Sequence, residues 1–362
     1  MRLTTLDARP LLIPFTTRFA HASAARSETA SLWVTVTTSD GVTGQGESCP
    51  RPYVTGESVE SAAAFVERHR DDLVASVHDL ATLAAWAAAH AAAIDAAPAA
   101  WCAVELAILD ALGRTTGQTL ETLLGAPPLT GPFRYTAVIG DGDLAHFTAQ
   151  WARYQAAGFR DVKLKVSGDL DRDAPKLAAL ASHEGVRVRL DANNLWRDTE
   201  TALAFLTRLP APVFAMEEPL AAGDLPGLAR LSDALGVPIV LDESATRVEH
   251  LRTLPAPAHR WIVNVRVSKM GGVRRALRVV EAARDEGCRV IVGAQVGETS
   301  LLTRAALPVA EAAGPAMVAM EGAFGTLLLT RDVCDPPLMF GAGGRLSVAD
   351  HPRLASPGLG VA

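Results

Sequence analysis

Three acidic residues stand at nearly equal intervals in the middle of the chain: Asp191, Glu217 and Asp242. Each closes a short apolar run that reads as a buried strand (VRVRLD, VFAME and PIVLD), and the gaps are 26 and 25 residues. A βα repeat takes about this length when roughly 250 residues divide among eight repeats of a barrel. Equal spacing predicts that the three acids stand at one height, on the rim where strands end and barrel enzymes do chemistry. Carboxylates converging there repel one another unless a cation sits between them. Hard oxygen ligands on a rigid rim suit Mg²⁺, with Mn²⁺ as the alternative.

The organisation along the chain agrees with a barrel. From about Arg134, strand-like runs alternate with helical patterns: RYTAVI, RDVKLKV, VRVRLD, VFAME, PIVLD, WIVNVRV, RVIVGAQ and AMVAME. Eight strands in series favour a closed parallel barrel over an open sheet. The first third reads differently. Residues 2–13 and 31–38 alternate as strands, SDGVTGQGE is turn-rich, and helical patterns cover about Ser58 to His90 and Ala99 to Gly113. Strands followed by helices indicate a separate α+β domain. The tail after about Leu327 is rich in Gly and Pro and fits no further repeat. The expected fold is α/β: an α+β cap over 1–128, a barrel over 129–326, and a segment over 327–362 that returns to the cap.

Composition excludes other classes. The net charge is −6 with no sustained basic block, which argues against a nucleic-acid partner, although an average can conceal a local patch. Cys49, Cys102, Cys288 and Cys334 form no CxxC pair, and the N-terminus carries no long apolar run. Reduced thiols in a cytoplasmic protein are expected. The alanine-rich stretch from Ala81 to Ala100 contains His90, Asp95 and Pro98, and reads as helix and turn, not a membrane span. There is no HExxH, no GxGxxG after a strand and no GxSxG elbow.

The second barrel run ends Lys163-Leu164-Lys165. In a strand, i and i+2 share a face, so both ammonium groups point the same way. Like charges side by side disfavour the charged form, which would tune a lysine toward general-base work. A divalent cation that holds a substrate carboxylate stabilises the charge that develops as the α-proton leaves and an enediolate forms. Lysine with Mg²⁺ is the arrangement of the enolase superfamily.

The ordered motifs KLK (163–165), DANNLW (191–196), MEEPL (216–220), LDES (241–244) and NVRVSKMGG (264–272) resemble that superfamily, in its muconate-lactonising subgroup. AVELAILDALGRTTGQTLETLLG (103–125) resembles the end of its capping domain. The resemblance implies a (β/α)7β modified barrel with a cap completed by the C-terminal tail. It implies Asp191, Glu217 and Asp242 as metal ligands, Lys165 as the base with Lys163 beside it, and Asn193 and Glu243 in support. Glu218 is the weaker ligand candidate, since alternation points it outward. It also implies a small carboxylate substrate and self-association into a homo-oligomer.

One position departs from the pattern. Many relatives carry a lysine at the end of the sixth strand, where this chain has Arg266. Guanidinium stays protonated and is a poor base, though it can grip a carboxylate. Lys269, three residues on, faces away unless the strand ends early. Racemisation usually wants a base on each face of the α-carbon, whereas one lysine suffices for syn-elimination or cycloisomerisation. The expectation is therefore one-base chemistry, a cycloisomerase or a β-eliminating lyase (dehydratase). The alternatives are a racemase or epimerase of an N-acyl amino acid or dipeptide, and a metal-binding barrel without turnover.

Substrate choice is expected in the loops 14–28 and 48–57, where Arg18, His21, Arg26, Arg51 and Tyr53 are candidate contacts. Gln295, Glu298 and Glu321, after the seventh and eighth strands, are further candidates.

Overall fold

The computed structural model describes residues 1–21 and 24–361, with the side chains of residues 17–25 outside the description. The first part holds five strands: β1 (Leu3–Leu11), β2 (Pro14–His21), β3 (Ala24–Glu28), β4 (Ser31–Thr38) and β5 (Thr43–Ser48). β1, β4 and β5 form an antiparallel sheet, and β2 pairs with β3 as a hairpin. The stretch 14–28, expected as loop, is therefore largely strand. SDGVTGQGE also divides: only its first residues turn, and TGQGES is β5 itself. Glycines stand in this strand because α5 lies against it. A Cβ on Gly46 would meet the Ala103 carbonyl oxygen at 1.9 Å.

Six helices follow: α1 (Pro52–Thr55), α2 (Val59–Ser76), α3 (Leu80–Ala89), α4 (Ala91–Ala96), α5 (Pro98–Thr116) and α6 (Leu120–Leu124). The helical pattern from Ser58 to His90 breaks at Val77–Asp79. There Asp79 accepts the Thr82 N–H at 2.8 Å while the Asp79 N–H donates back to the Thr82 hydroxyl, a capping box that starts α3. α5 is buried from Pro98 to Gly113 and forms the centre of the cap.

Next, β6 (Phe133–Arg134) pairs with β15 (Arg345–Leu346) from the tail. Eight parallel strands then run in chain order through one sheet: β7 (Ala137–Ile139), β8 (Asp161–Lys165), β9 (Arg187–Asp191), β10 (Ala215–Glu217), β11 (Ile239–Leu241), β12 (Trp261–Val265), β13 (Arg289–Val292) and β14 (Met317–Met320). The Thr136 N–H donates to the Met320 carbonyl at 2.7 Å and joins the two ends of the sheet. The architecture is a modified TIM barrel with an N-terminal cap. The run RYTAVI splits at Tyr135, whose N–H goes to Gly344 of the tail at 2.7 Å.

The helices between these strands are α7 (Leu144–Ala156), α8 (Leu170–Ala181), α9 (Thr199–Leu206), α10 (Leu225–Leu235), α11 (Val248–Leu251), α12 (Val267–Met270), α13 (Val273–Asp285) and α14 (Ser300–Ala313). Ala215, Val240, Ile262, Ile291 and Ala319 fill the apolar part of the barrel interior. At the far end of the chain, Leu359 N–H donates to Asp110 of α5 at 2.7 Å. No helix among the described residues is long and apolar enough to cross a membrane.

Candidate active site

Residues that share a face with the apolar interior point into the barrel, and the charged residues stand directly above it. Glu217 follows Ala215 by two and is the register partner of Asp191; Lys165 is in turn the partner of Asp191. Asp242 follows Val240 by two, so its parity is also inward. Glu217, however, is in register with Val240, and Asp242 stands two residues further along, just past β11. The three acids share a face but not one height.

Lys163 Nζ donates to Glu217 Oε1 at 2.8 Å and lies 3.0 Å from Asp191 and 3.3 Å from Glu321. Lys165 Nζ donates to Asp191 Oδ2 at 2.9 Å and to Asn193 Oδ1 at 2.6 Å. The lowering expected of like charges is not found at Lys163. Burial disfavours the Lys163 ammonium, but Asp191, Glu217 and Glu321 outweigh burial and push Lys163 up. Lys163 is therefore a fixed cation. Burial likewise works against the Asp191 carboxylate, and Lys163 and Lys165 overcome it, holding Asp191 well below the usual carboxylate range.

Arg266 lies across the mouth, just past the end of β12, the strand four places from β8 in a ring of eight. Its Nη2 is 2.5 Å from Asp242 Oδ2 and 3.5 Å from Glu217 Oε1, and its Nη1 donates to Gln295 Oε1 at 3.1 Å. Burial opposes the charge, but Asp242, Glu321 and Glu217 prevail and push Arg266 up. The sixth strand ends at Val265, earlier than the run WIVNVRV suggests. One helical turn, α12, brings Lys269 back inward. Its Nζ donates to Asp242 Oδ1 at 2.7 Å, the Asp242 carbonyl at 2.6 Å and the Asn264 carbonyl at 2.7 Å. All three ammonium protons are engaged.

Among the described residues no group of three His, Cys, Asp or Glu side chains closes into a ready metal cage. Lys163 and Arg266 lie between the carboxylates instead. The donor set nonetheless fits a hard cation: three inward carboxylates, of which Glu217 has one oxygen, Oε2, that is buried and accepts no hydrogen bond. Glu218 turns outward as alternation predicts. It accepts the N–H groups of Asp242 and Ser244 at 2.7 and 2.8 Å and fixes the end of β11. Glu243 is largely buried with Oε2 unpartnered, and burial, reinforced by Asp242 and Glu218, pushes its carboxyl up to about 8.

The remaining candidates separate. Gln295 is in the site through Arg266. Glu321 enters from below, against Lys163 and Arg189. Glu298 is engaged in its own loop, where it accepts the Gln295 N–H at 2.6 Å. Arg26 lies over the Tyr53 ring, 5.9 Å from its centroid. Arg51 is not a substrate contact: it is fully buried, and its guanidinium donates to the carbonyls of Thr29, Ala30, Pro50 and Val296. Arg18 and His21 lie outside the residues whose side chains are described.

Two residues were missed. Asn264 Nδ2 donates to Glu217 Oε1 at 3.1 Å, and Gly293 gives Asn264 room, since a Cβ there would stand 2.1 Å from Asn264 Oδ1. Arg189 is fully buried and binds Asp161 and Glu321. Each lies two residues before a predicted site residue, so the same-face rule would have found both.

Comparison with known proteins gives the family of the chain. Residues 3–125 match the Mandelate racemase / muconate lactonizing enzyme N-terminal domain, and residues 146–362 match the Enolase C-terminal domain-like family. The chain belongs to the mandelate racemase/muconate lactonizing enzyme family of the enolase superfamily. It is 30% identical over 301 residues to an aromatic dipeptide epimerase of Herpetosiphon aurantiacus, covering 81% of this chain and 82% of that one. A dipeptide epimerase from Methylococcus capsulatus, solved with Mg and the dipeptide L-Arg-D-Lys, superposes with a TM-score of 0.83 at 29% identity, covering 99% of each chain. A 2-chloromuconate cycloisomerase from Rhodococcus opacus superposes with a TM-score of 0.86 at 25% identity, covering 100% of this chain and 96% of that one.

Proposed function

We propose that the protein is a Mg²⁺-dependent enzyme that removes the α-proton of a small carboxylate substrate, with Lys165 as the base. The observation that carries this reading is the pairing of Lys165 Nζ with Asp191 and Asn193 at the barrel mouth, opposite a guanidinium that cannot act as a base. Asp191, Glu217 and Asp242 would hold the ion, which when bound supplies charge stabilisation to the substrate carboxylate. Lys163 stays protonated and presents a fixed positive charge beside the base. Arg266 and Gln295 form the facing wall and suit an oxyanion of the substrate. Kinship to dipeptide epimerases puts N-acyl amino acids and dipeptides first among substrates.

The geometry favours proton removal from one face. Arg266 is held as a cation, and Lys269 has no free lone pair while its three protons are donated. A second reading is epimerisation, which the kinship with dipeptide epimerases favours over cycloisomerisation. It needs a proton donor on the Arg266 side. Incubation of the Mg²⁺-loaded protein with N-acyl amino acids, dipeptides and muconates in D₂O separates the two. Deuterium in one enantiomer alone supports one-face chemistry; exchange in both supports epimerisation. No exchange in a substrate that Lys165→Ala still turns over would remove Lys165 from the role of base.

A further inference from the structure

The cap and barrel enclose a second concavity away from the mouth. Helices α3–α5 on one side and α11 and α13 on the other bound a cleft of about 240 Å³. Four arginines converge on it: Arg247, Arg274, Arg275 and Arg278. The opposite wall is built from alanines, Ala84, Ala87, Ala88 and Ala91, whose short side chains leave the depth open.

The acids around this cleft do not balance the guanidinium groups. Arg247 and Arg275 share the single carboxylate of Asp95, Arg247 at 3.4 Å. Glu105 lines the cleft at its buried end, accepts the Arg274 backbone N–H at 3.2 Å, and feels the charges of Arg274 and Arg275. Burial outweighs the opposing pull of Arg274 and Arg275 and pushes its carboxyl up to about 7, so it is only a partial counter-charge. Glu249 lines the cleft from an exposed position. Among the described residues, neither Arg274 nor Arg278 has a carboxylate within ion-pair distance. Arg247 Nε is buried and donates to nothing. The whole chain carries a net charge of −6, so this local excess of positive charge is not a reflection of a basic protein.

We propose that this cleft binds a small dianion, a phosphate or a dicarboxylate, gripped by Arg247, Arg274 and Arg278. The planar guanidinium fork matches both kinds of oxyanion. The volume admits a ligand of a few heavy atoms and excludes a polymer. Arg274 and Arg278 are one turn apart on α13 and present adjacent forks. Because the cleft has a cap wall and a barrel wall, an occupant bridges the two.

The test is calorimetric titration of the full chain with inorganic phosphate, and separately with succinate, against chloride at constant ionic strength. Saturable binding of one equivalent is expected for at least one of them, and which one identifies the source of the dianion. The double variant Arg274→Gln/Arg278→Gln should weaken it about tenfold or more, the loss expected for charged hydrogen bonds. Equal affinity in the variant would mean that the anion binds elsewhere, at the cationic mouth for instance, and overturns the proposal. So does the lack of saturation by either anion at millimolar concentration. Should the double variant fail to fold, Arg278→Gln alone alters only an exposed side chain; unchanged affinity there overturns the proposal equally.

Discussion

Replacing Glu47 by glutamine isolates one buried proton at the junction of cap and barrel. Glu47, in β5, reaches across to the first turn of α14. Its Oε1 accepts the Thr299 N–H at 3.1 Å and its Oε2 accepts the Thr299 hydroxyl at 2.5 Å. Burial pushes the carboxyl up from 4.5 to about 8; the Thr299 hydrogen bonds oppose the shift and Glu298 and Asp332 add to it. Between those two values the folded protein keeps a proton that the unfolded chain has released. Its stability therefore falls as pH rises through this window, and the contribution is fully present only below 4.5. At 1.36 kcal/mol per pH unit the loss reaches about 3 kcal/mol at pH 7 and about 5 kcal/mol above pH 8.

Glutamine has the shape of the protonated acid and no charge to desolvate. Glu47→Gln should match the parent at pH 5 and exceed it by several kcal/mol at pH 9. Urea unfolding of both proteins at pH 5, 7 and 9 measures this. Titrating groups remote from Glu47 shift both curves alike; Glu298, which adds to the Glu47 shift and is itself pushed up to about 7 by burial, shares in the difference between them. A difference that stays constant with pH would refute the reasoning.

Lys165→Ala should lower turnover about 10²- to 10⁴-fold, the range for a general base, while calorimetric Mg²⁺ binding persists; an unchanged rate excludes the assigned role. Arg304 and Glu121 form a buried bidentate pair between α14 and α6, at 2.6 and 2.8 Å. Arg304→Met leaves Glu121 buried and unpaired, and should cost about 3–5 kcal/mol in urea unfolding. Adding Glu121→Gln should recover part of that loss.

The barrel was legible because apolar runs alternate with helical patterns, and three of those runs close on an acid. Parity then aimed Asp191, Glu217, Asp242, Lys163 and Lys165 inward, and it aimed Glu218 out. Height was not legible from spacing. Strands of a barrel are staggered by its shear, so equal intervals in sequence do not give equal levels. Lys269 was legible only on a condition: the two-residue period holds while a strand continues, and β12 stops at Val265. Arg51 sits in a loop, where exposure is the default. Only the folded chain brings four carbonyls around it.

The charges inside the barrel bear on what the mouth can receive. Lys163, Lys165, Arg189, Arg266 and Lys269 face the carboxylates of Asp191, Glu217, Asp242, Glu321 and Asp161, so the charges are already balanced five against five. Burial pushes Glu218 to about 7 and Glu243 to about 8, which reduces their share of negative charge. A divalent ion would add two further positive charges to a water-poor site, where unbalanced charge is costly. The reacting end of the substrate must therefore be an anion, and the wall of Arg266 and Gln295 stands ready to receive it. A carboxamide has the same shape without the charge. For any N-acyl amino acid or dipeptide that exchanges its α-proton, the corresponding C-terminal amide should show no exchange and compete weakly. Exchange of the amide at a rate near that of the acid would mean that charge balance does not govern what this mouth accepts.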